Sequence, residues 1–222
     1  MNKPQLLIFD VNETLLDLGK IKTSIHQVFQ NEEAFSIWFS TLLQYSMVES
    51  ICNSYHGFGE IGKATLKMTA KKLKVDITDD EISGILDLIT QLQPHPDVKG
   101  GLKNLKSNGF LLVALTNGSS EALNAQMKYA GLTPYFDKLY SVEEVRSFKP
   151  QGKTYQYVLS DMNCKAENAM MIAAHPWDIA GAKAVGMQTA FIERKGQIYY
   201  PLMEKADFHD TNLKELAENI LN

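Results

Sequence analysis

The chain has 222 residues, 45% hydrophobic and 22% charged, enough to bury a full core as one large domain or as a domain carrying an insertion. Its net charge is −4 and its 22 basic residues are scattered, which excludes a groove for a phosphate backbone, so no nucleic-acid partner is expected. No basic leader followed by an apolar stretch opens the chain, and no apolar run is long enough to span a bilayer, so a cytoplasmic protein with no membrane partner is expected. Lysine dominates the basic set, since the only arginines are Arg146 and Arg194. Cys52 and Cys164 lie far apart with no CxxC, so neither a disulfide framework nor a thiolate metal site is indicated, and buried free thiols are the expectation.

The first element is a strand over Gln5-Leu6-Leu7-Ile8-Phe9, delivering Asp10 to its C-terminal end. From about Ile21 to Gln93 the pattern turns helical. Ile25, Val28 and Phe29, then Ile37, Trp38, Leu42 and Tyr45, and later Ile82, Ile85, Leu86 and Ile89 recur mostly at spacings of three and four. Four or five amphipathic helices are predicted, one starting at a capping box of Thr78 and Glu81. His26 and His56 are isolated from each other with no evident charged partner, and read as surface or packing imidazoles.

Pro94, Pro96 and Gly100-Gly101 mark a return to alternating helices and strands. Helices are predicted near 102–107, over 120–130 closed by Gly131, over 152–159, 178–185 and 213–221. Strands are predicted over 110–115, around Leu139-Tyr140, over 169–174 and over 188–192. Strands separated by helices of this length imply an α/β fold with a doubly wound parallel sheet, a Rossmann-like core. The domains expected are a core of residues 1–17 and 94–222 and an inserted helical cap of residues 18–93. Met127, Tyr129, Met187 and Phe191 are expected in the core. Tyr199-Tyr200-Pro201 reads as a loop, whose exposed aromatics are compatible with a homodimer contact although the plain loop is favoured.

Chemistry in such a sheet gathers at the carboxyl ends of the strands. An Asp after one strand caps a turn more often than it reacts, so Asp10 has to be weighed with the other strand ends. Leu115-Thr116-Asn117-Gly118-Ser119 offers a hydroxyl, a carboxamide and free backbone N–H groups at a helix start, a cradle for an anion, although Asn-Gly-Ser is also common turn chemistry. Ser147-Phe148-Lys149-Pro150 brings a lysine that would face Asp10 in a doubly wound sheet, with the proline suited to open a helix. Ala173-Ala174-His175-Pro176-Trp177-Asp178 ends with an Asp at the next helix start, a cap or an orienter.

An Asp, a Thr-Asn pair, a Lys and an Asp, each after its own strand, is far more specific than any one of them. With Phe9-Asp10-Val11-Asn12-Glu13-Thr14, Phe148-Lys149-Pro150 and Tyr155, and Trp177-Asp178-Ile179-Ala180-Gly181-Ala182, the chain resembles the haloacid dehalogenase-like hydrolases, nearest the type II L-2-haloacid dehalogenases. The resemblance implies that Asp10 attacks the α-carbon of a small-molecule substrate, expels halide and forms an ester that water then hydrolyses. It implies that Lys149 orients Asp10, that Thr14, Thr116 and Asn117 hold the nucleophile or the substrate carboxylate, and that Asp178 positions Lys149 and the water. Asn12, Phe39, Tyr155, His175 and Trp177 fall at substrate-pocket positions, His175 where the family usually carries Asn.

Two departures matter. The family's cap arginine, which receives the halide, is Phe39 here, a loss of about 2–4 kcal/mol of electrostatic stabilisation if nothing replaces it. The family's Tyr-Gly after the nucleophile is Asn12-Glu13, which makes the pocket floor more polar. A phosphatase of the same superfamily is the competing reading. It needs Mg²⁺ and an acid two residues after the nucleophile, but that position is Asn12, and the acidic ligand four residues before Asp178 is Ala174. No cofactor and no metal are therefore expected. A non-catalytic binding module on this fold is the third reading, opposed by the retention of Asp10, Lys149 and Asp178 together.

Overall fold

The computed structural model describes residues 3–222. The apolar run after Gln5 forms strand β1 (Leu6–Phe9), every residue of it buried, as a strand covered by helices on both faces requires. A short strand β2 (Leu16–Asp17) then leads into four helices: α1 (Gly19–Phe29), α2 (Ala34–Ile51), α3 (Phe58–Leu73) and α4 (Asp79–Asp87). The chain leaves them through β3 (Gln93–Pro94), which pairs antiparallel with β2, so the helical segment departs and returns through one two-stranded ribbon. Ile21, Ile25 and Phe29 form the buried stripe of α1, and the predicted capping box of α4 is made, Thr78 accepting from the Glu81 N–H while Glu81 accepts from that of Thr78.

The remaining elements alternate: α5 (Val98–Ser107), β4 (Leu111–Thr116), α6 (Ser120–Ala130), β5 (Lys138–Ser141), α7 (Gly152–Asp161), β6 (Ala169–Ala173), α8 (Pro176–Ala184), β7 (Gln188–Ile192), β8 (Phe208–Asp210) and α9 (Leu213–Leu221). The six main strands lie in the order β5-β4-β1-β6-β7-β8, and every neighbouring pair is parallel. This is the doubly wound sheet expected from the alternation. Its order reverses at β1, because one run of crossovers fills the β4 side and the next fills the β6 side. The residue after β1 is Asp10, which therefore lies at the topological switch point where such sheets bind ligands.

Several local expectations fail. The ribbon of β2 and β3 and the edge strand β8 are too short, and β3 too rich in proline, to produce a periodic signal. Pro150 does not open α7, which starts at Gly152 with the Gln151 side chain accepting from the Gly152 N–H. Asp178 is not the cap of α8: Pro176 opens that helix, and the Asp178 carboxylate points into the interior. Neither cysteine is a buried thiol, Cys52 being exposed just beyond α2 and Cys164 partly covered in the turn after α7. Tyr129 is 47% exposed, so it does not join Met127, Met187 and Phe191 in the core. His56 does have a charged partner, Glu49, with Nδ1 at 3.0 Å from Oε1. Among the described residues no helix is long and apolar enough to cross a membrane.

Gly181 on α8 is a close-approach position. A Cβ there would lie 2.5 Å from the Tyr155 Oη and 2.7 Å from the Pro150 carbonyl oxygen, so neither side can yield without moving the segment that carries Lys149. Gly181→Ala is expected to destabilise the protein by about 1–3 kcal/mol, read as a lower urea midpoint at unchanged slope.

Candidate active site

The sheet brings three charged side chains from three strand ends into one buried cluster. Lys149 is 1% exposed and spends all three ammonium protons inside the protein: on Asp10 Oδ1 at 2.8 Å, on Asp178 Oδ2 at 2.6 Å and on the Leu115 carbonyl at 2.9 Å. Its backbone N–H donates to Asn117 Oδ1 at 2.9 Å, so the turn after β4 fixes the segment that carries the lysine. Asp178, wholly buried, accepts from the Tyr155 hydroxyl on its other oxygen at 2.6 Å. Cation–carboxylate and phenol–carboxylate contacts at these distances are charge-assisted hydrogen bonds.

The second oxygen of Asp10 is held from the other side. Thr14 Oγ1 donates to Asp10 Oδ2 at 2.7 Å while accepting the Ala174 N–H at 2.9 Å, which ties the turn after β1 to the end of β6. His175 Nδ1 lies 3.0 Å from the same Oδ2, and its Nε2 lies 2.8 Å from Glu13 Oε2. Glu13 sits in the left-handed region at φ 62° and also accepts from Gln197 Nε2 at 3.0 Å, so its carboxylate is aimed by its backbone and by a second element.

These contacts set the protonation states. Burial alone would raise Asp10, but Lys149 and His175 outweigh it and hold its carboxyl well below the usual carboxylate range. Burial alone would lower His175, but its hydrogen bonds to Asp10 and Glu13 push it up to about 9, so it is an imidazolium at neutral pH and donates through both nitrogens. Lys149 is raised because its two carboxylates outweigh the cost of burial. Burial and the nearby Asp10 charge raise Asp178, and burial beside Asp178 keeps Tyr155 a neutral phenol.

A cavity of about 770 Å³ borders this network at His175 and Glu13. Phe39, His175 and Trp177 line its inner part, the His175 ring stacking on Trp177 at 4.9 Å and tilting toward Phe39 at 6.2 Å. The structure thus unites Asp10, Thr14, Lys149, Tyr155, His175 and Asp178 in one hydrogen-bonded network, with Phe39 and Trp177 on the cavity wall. Two residues stand apart from it: Thr116 Oγ1 accepts the Gly118 N–H at 3.1 Å, and Asn12 Oδ1 accepts from Gln126 at 3.0 Å. The anion cradle after β4 is also largely spoken for, since the Ser120 N–H donates to Glu143 and the Ala122 N–H to Ser119. The Asn117 side-chain Nδ2, beside these groups, is engaged by no hydrogen bond among the described residues.

Two participants are not evident from the sequence. Glu13 stands next to a recognised motif, but its partnership with His175 joins positions 162 residues apart, and only its departure from the family's glycine marks it. Arg194, at the end of β7, lines the cavity and donates twice to the Thr14 carbonyl and once to Asp97 Oδ1, at 2.8–3.1 Å. Its scarcity in the chain is the one signal it carries.

The donor set does not fit a divalent cation. The ammonium of Lys149 lies between the two carboxylates that would hold one, Ala174 and Asn12 supply no further carboxylate, and a hard ion needs about six oxygens. Among the described residues no group of three or more His, Cys, Asp and Glu side chains is arranged to hold a metal.

The raised His175 has a consequence for stability. A group lifted from 6.5 to about 9 stabilises the fold fully below pH about 6.5, and this contribution fades as pH rises through about 9. The urea midpoint is expected to fall between pH 7 and 10 in the wild-type protein, and to fall distinctly less in His175→Asn.

Comparison with known proteins follows the same lines. The chain is 27% identical over 214 residues to the (S)-2-haloacid dehalogenase of Pseudomonas sp. (strain YL), covering 96% of this chain and 92% of that protein. It is 27% identical over 210 residues to haloacetate dehalogenase H-2 of Moraxella sp. (strain B), with 94% of each covered. The structure of L-2-haloacid dehalogenase from Xanthobacter autotrophicus with chloropropionic acid covalently bound superposes with a TM-score of 0.90 at 21% identity, over 99% of both chains, a likeness of fold. The family model of the haloacid dehalogenase-like hydrolases matches residues 4–186, and the chain belongs to that family of hydrolases.

Proposed function

We propose that this chain hydrolyses the carbon–halogen bond of 2-halo carboxylic acids through an ester on Asp10, with residues 18–93 acting as a cap over a core of residues 1–17 and 94–222. The observation that carries this reading is the bridge from Asp10 Oδ1 through Lys149 Nζ to Asp178 Oδ2. It keeps the nucleophile ionised and fixed without a metal. The dehalogenase names of the two relatives support the substrate class.

Oδ2 of Asp10 already accepts two hydrogen bonds and Oδ1 only one, so Oδ1 keeps a free lone pair and is the attacking atom. It displaces halide from the α-carbon with inversion, and the carbon–oxygen bond formed replaces the carbon–halogen bond broken. The Asn117 Nδ2 amide donates to the substrate carboxylate or to the departing halide, part of what the arginine replaced by Phe39 would supply.

Esterification removes the Asp10 charge that holds the proton on His175, so the imidazolium becomes more acidic only once the intermediate exists. After losing that proton, His175 takes one from a water that attacks the Asp10 carbonyl carbon, while Glu13 and Gln197 fix the far side of the ring. Collapse of the tetrahedral adduct releases the 2-hydroxy acid and restores Asp10, and the overall change is substrate and water to hydroxy acid, halide and a proton. Phosphoryl transfer lacks a comparable route here, because Asn12 replaces the acid and turns to Gln126. Two free thiols, one of them exposed, suit the reducing cytoplasm in which we take the enzyme to work.

Chloride release from (S)-2-chloropropionate is the test. Asp10→Asn is expected to lose at least about 1,000-fold in rate. Glu13→Gln is expected to slow the second step on the order of 100-fold, so that the ester on Asp10 accumulates and is caught by intact-mass measurement. No chloride release above the Asp10→Asn background would remove the dehalogenase reading.

A further inference from the structure

The cavity is far larger than a two- or three-carbon haloacid needs; its 770 Å³ or so is within the range of pockets that enclose drug-sized ligands. Its walls are also graded. On the inner side an aromatic row runs from Trp177 through His175 and Phe39 to Phe35, the last two rings stacked at 5.6 Å and 7°. Phe35 and His175 are buried, whereas Lys22 on α1 and Lys195 after β7 line the same cavity and are exposed, so the lysines mark its mouth.

The charges in this wall are not equivalent. His175 is matched by Asp10 and Glu13, and Arg194 by Asp97. Lys22 and Lys195 form no ion pair among the described residues. Asp17, the other carboxylate in the wall, is held through Oδ1 by the Gly19 N–H at 2.8 Å. A cavity with an aromatic wall that runs from His175, the hydrogen-bond partner of Asp10, to two unmatched ammonium groups favours a molecule with an apolar middle and a second negative group at its far end.

Resting on the dehalogenase reading and extending it, we infer that the preferred substrate is an extended 2-halo dicarboxylate. Its reacting carbon lies at Asp10, its methylene chain along Phe39 and Phe35, and its distal carboxylate between Lys22 and Lys195. The chemical step is the one already given and needs no further reactant.

Two measurements test this separately from the parent reading. The ratio of kcat/KM for 2-chloroadipate to that for 2-chloropropionate is expected to exceed one in the wild-type enzyme and to fall about five- to tenfold in Lys22→Gln/Lys195→Gln, with the change in KM. Binding of unreactive adipate, followed through the tryptophan fluorescence of the wild-type protein, is expected to weaken by a similar factor in the same variant and as salt is raised. A ratio at or below one, or a ratio and an adipate affinity that the double variant leaves unchanged, overturns the inference while leaving the dehalogenase reading intact. Adipate binding that depends on both lysines, with no chloride released from either acid, would keep the dicarboxylate site and reject the dehalogenase chemistry.

Discussion

One ammonium group between two buried carboxylates organises this protein. Burying an unpaired charge costs several kcal/mol, and a buried pair recovers that only when its geometry is tight and its remaining protons are satisfied. Lys149 meets that condition with three acceptors within 2.9 Å, on Asp10 after β1, Leu115 near the end of β4 and Asp178 in the first turn of α8. The arrangement holds only while β1, β4 and β6 keep their parallel register and the segment before α7 stays against α8. Gly181 protects that last contact by carrying no side chain.

Around this centre the structure adds a second ring of polar contacts. Thr14 links Asp10 to the end of β6, Arg194 locks the Thr14 carbonyl and ties it to Asp97, and Asp97 accepts the N–H of Leu213 where α9 begins. The turn that carries Asp10 is thereby anchored to two further elements. Preorganisation of this kind lets a carboxylate act as a nucleophile, because the groups around it need little rearrangement as charge moves. The cation beside Asp10 on this side is the His175 imidazolium, with Glu13 as its second partner.

The charged cluster at the centre is legible in the sequence because it depends on residue type near strand ends. The buried runs around Leu7, Val113 and Met171 announce parallel strands, and the residues after them, Asp10, Asn117 and Asp178, follow from the topology. Long helices with regular stripes, such as α1, and caps such as Thr78 are equally plain. What escapes is short or non-local. Strands β2, β3 and β8 have two or three residues and no period to detect. The partnership of Glu13 with His175, and of Arg194 with Thr14, joins positions that only the folded sheet brings together. The partners of Thr116 and Asn12, the Gly118 N–H and Gln126, are likewise set by the folded chain and carry no signal in the sequence.

Everything rests on Asp10 becoming covalently bound to the substrate and being released by attack at its own carbonyl. A single turnover in heavy-oxygen water, with enzyme in excess over 2-chloropropionate, followed by mass analysis of the peptide containing Asp10, measures this directly. The account predicts heavy oxygen in the Asp10 carboxylate and unlabelled oxygen in the hydroxyl of the first product formed. Heavy oxygen in that product with Asp10 unlabelled would contradict it.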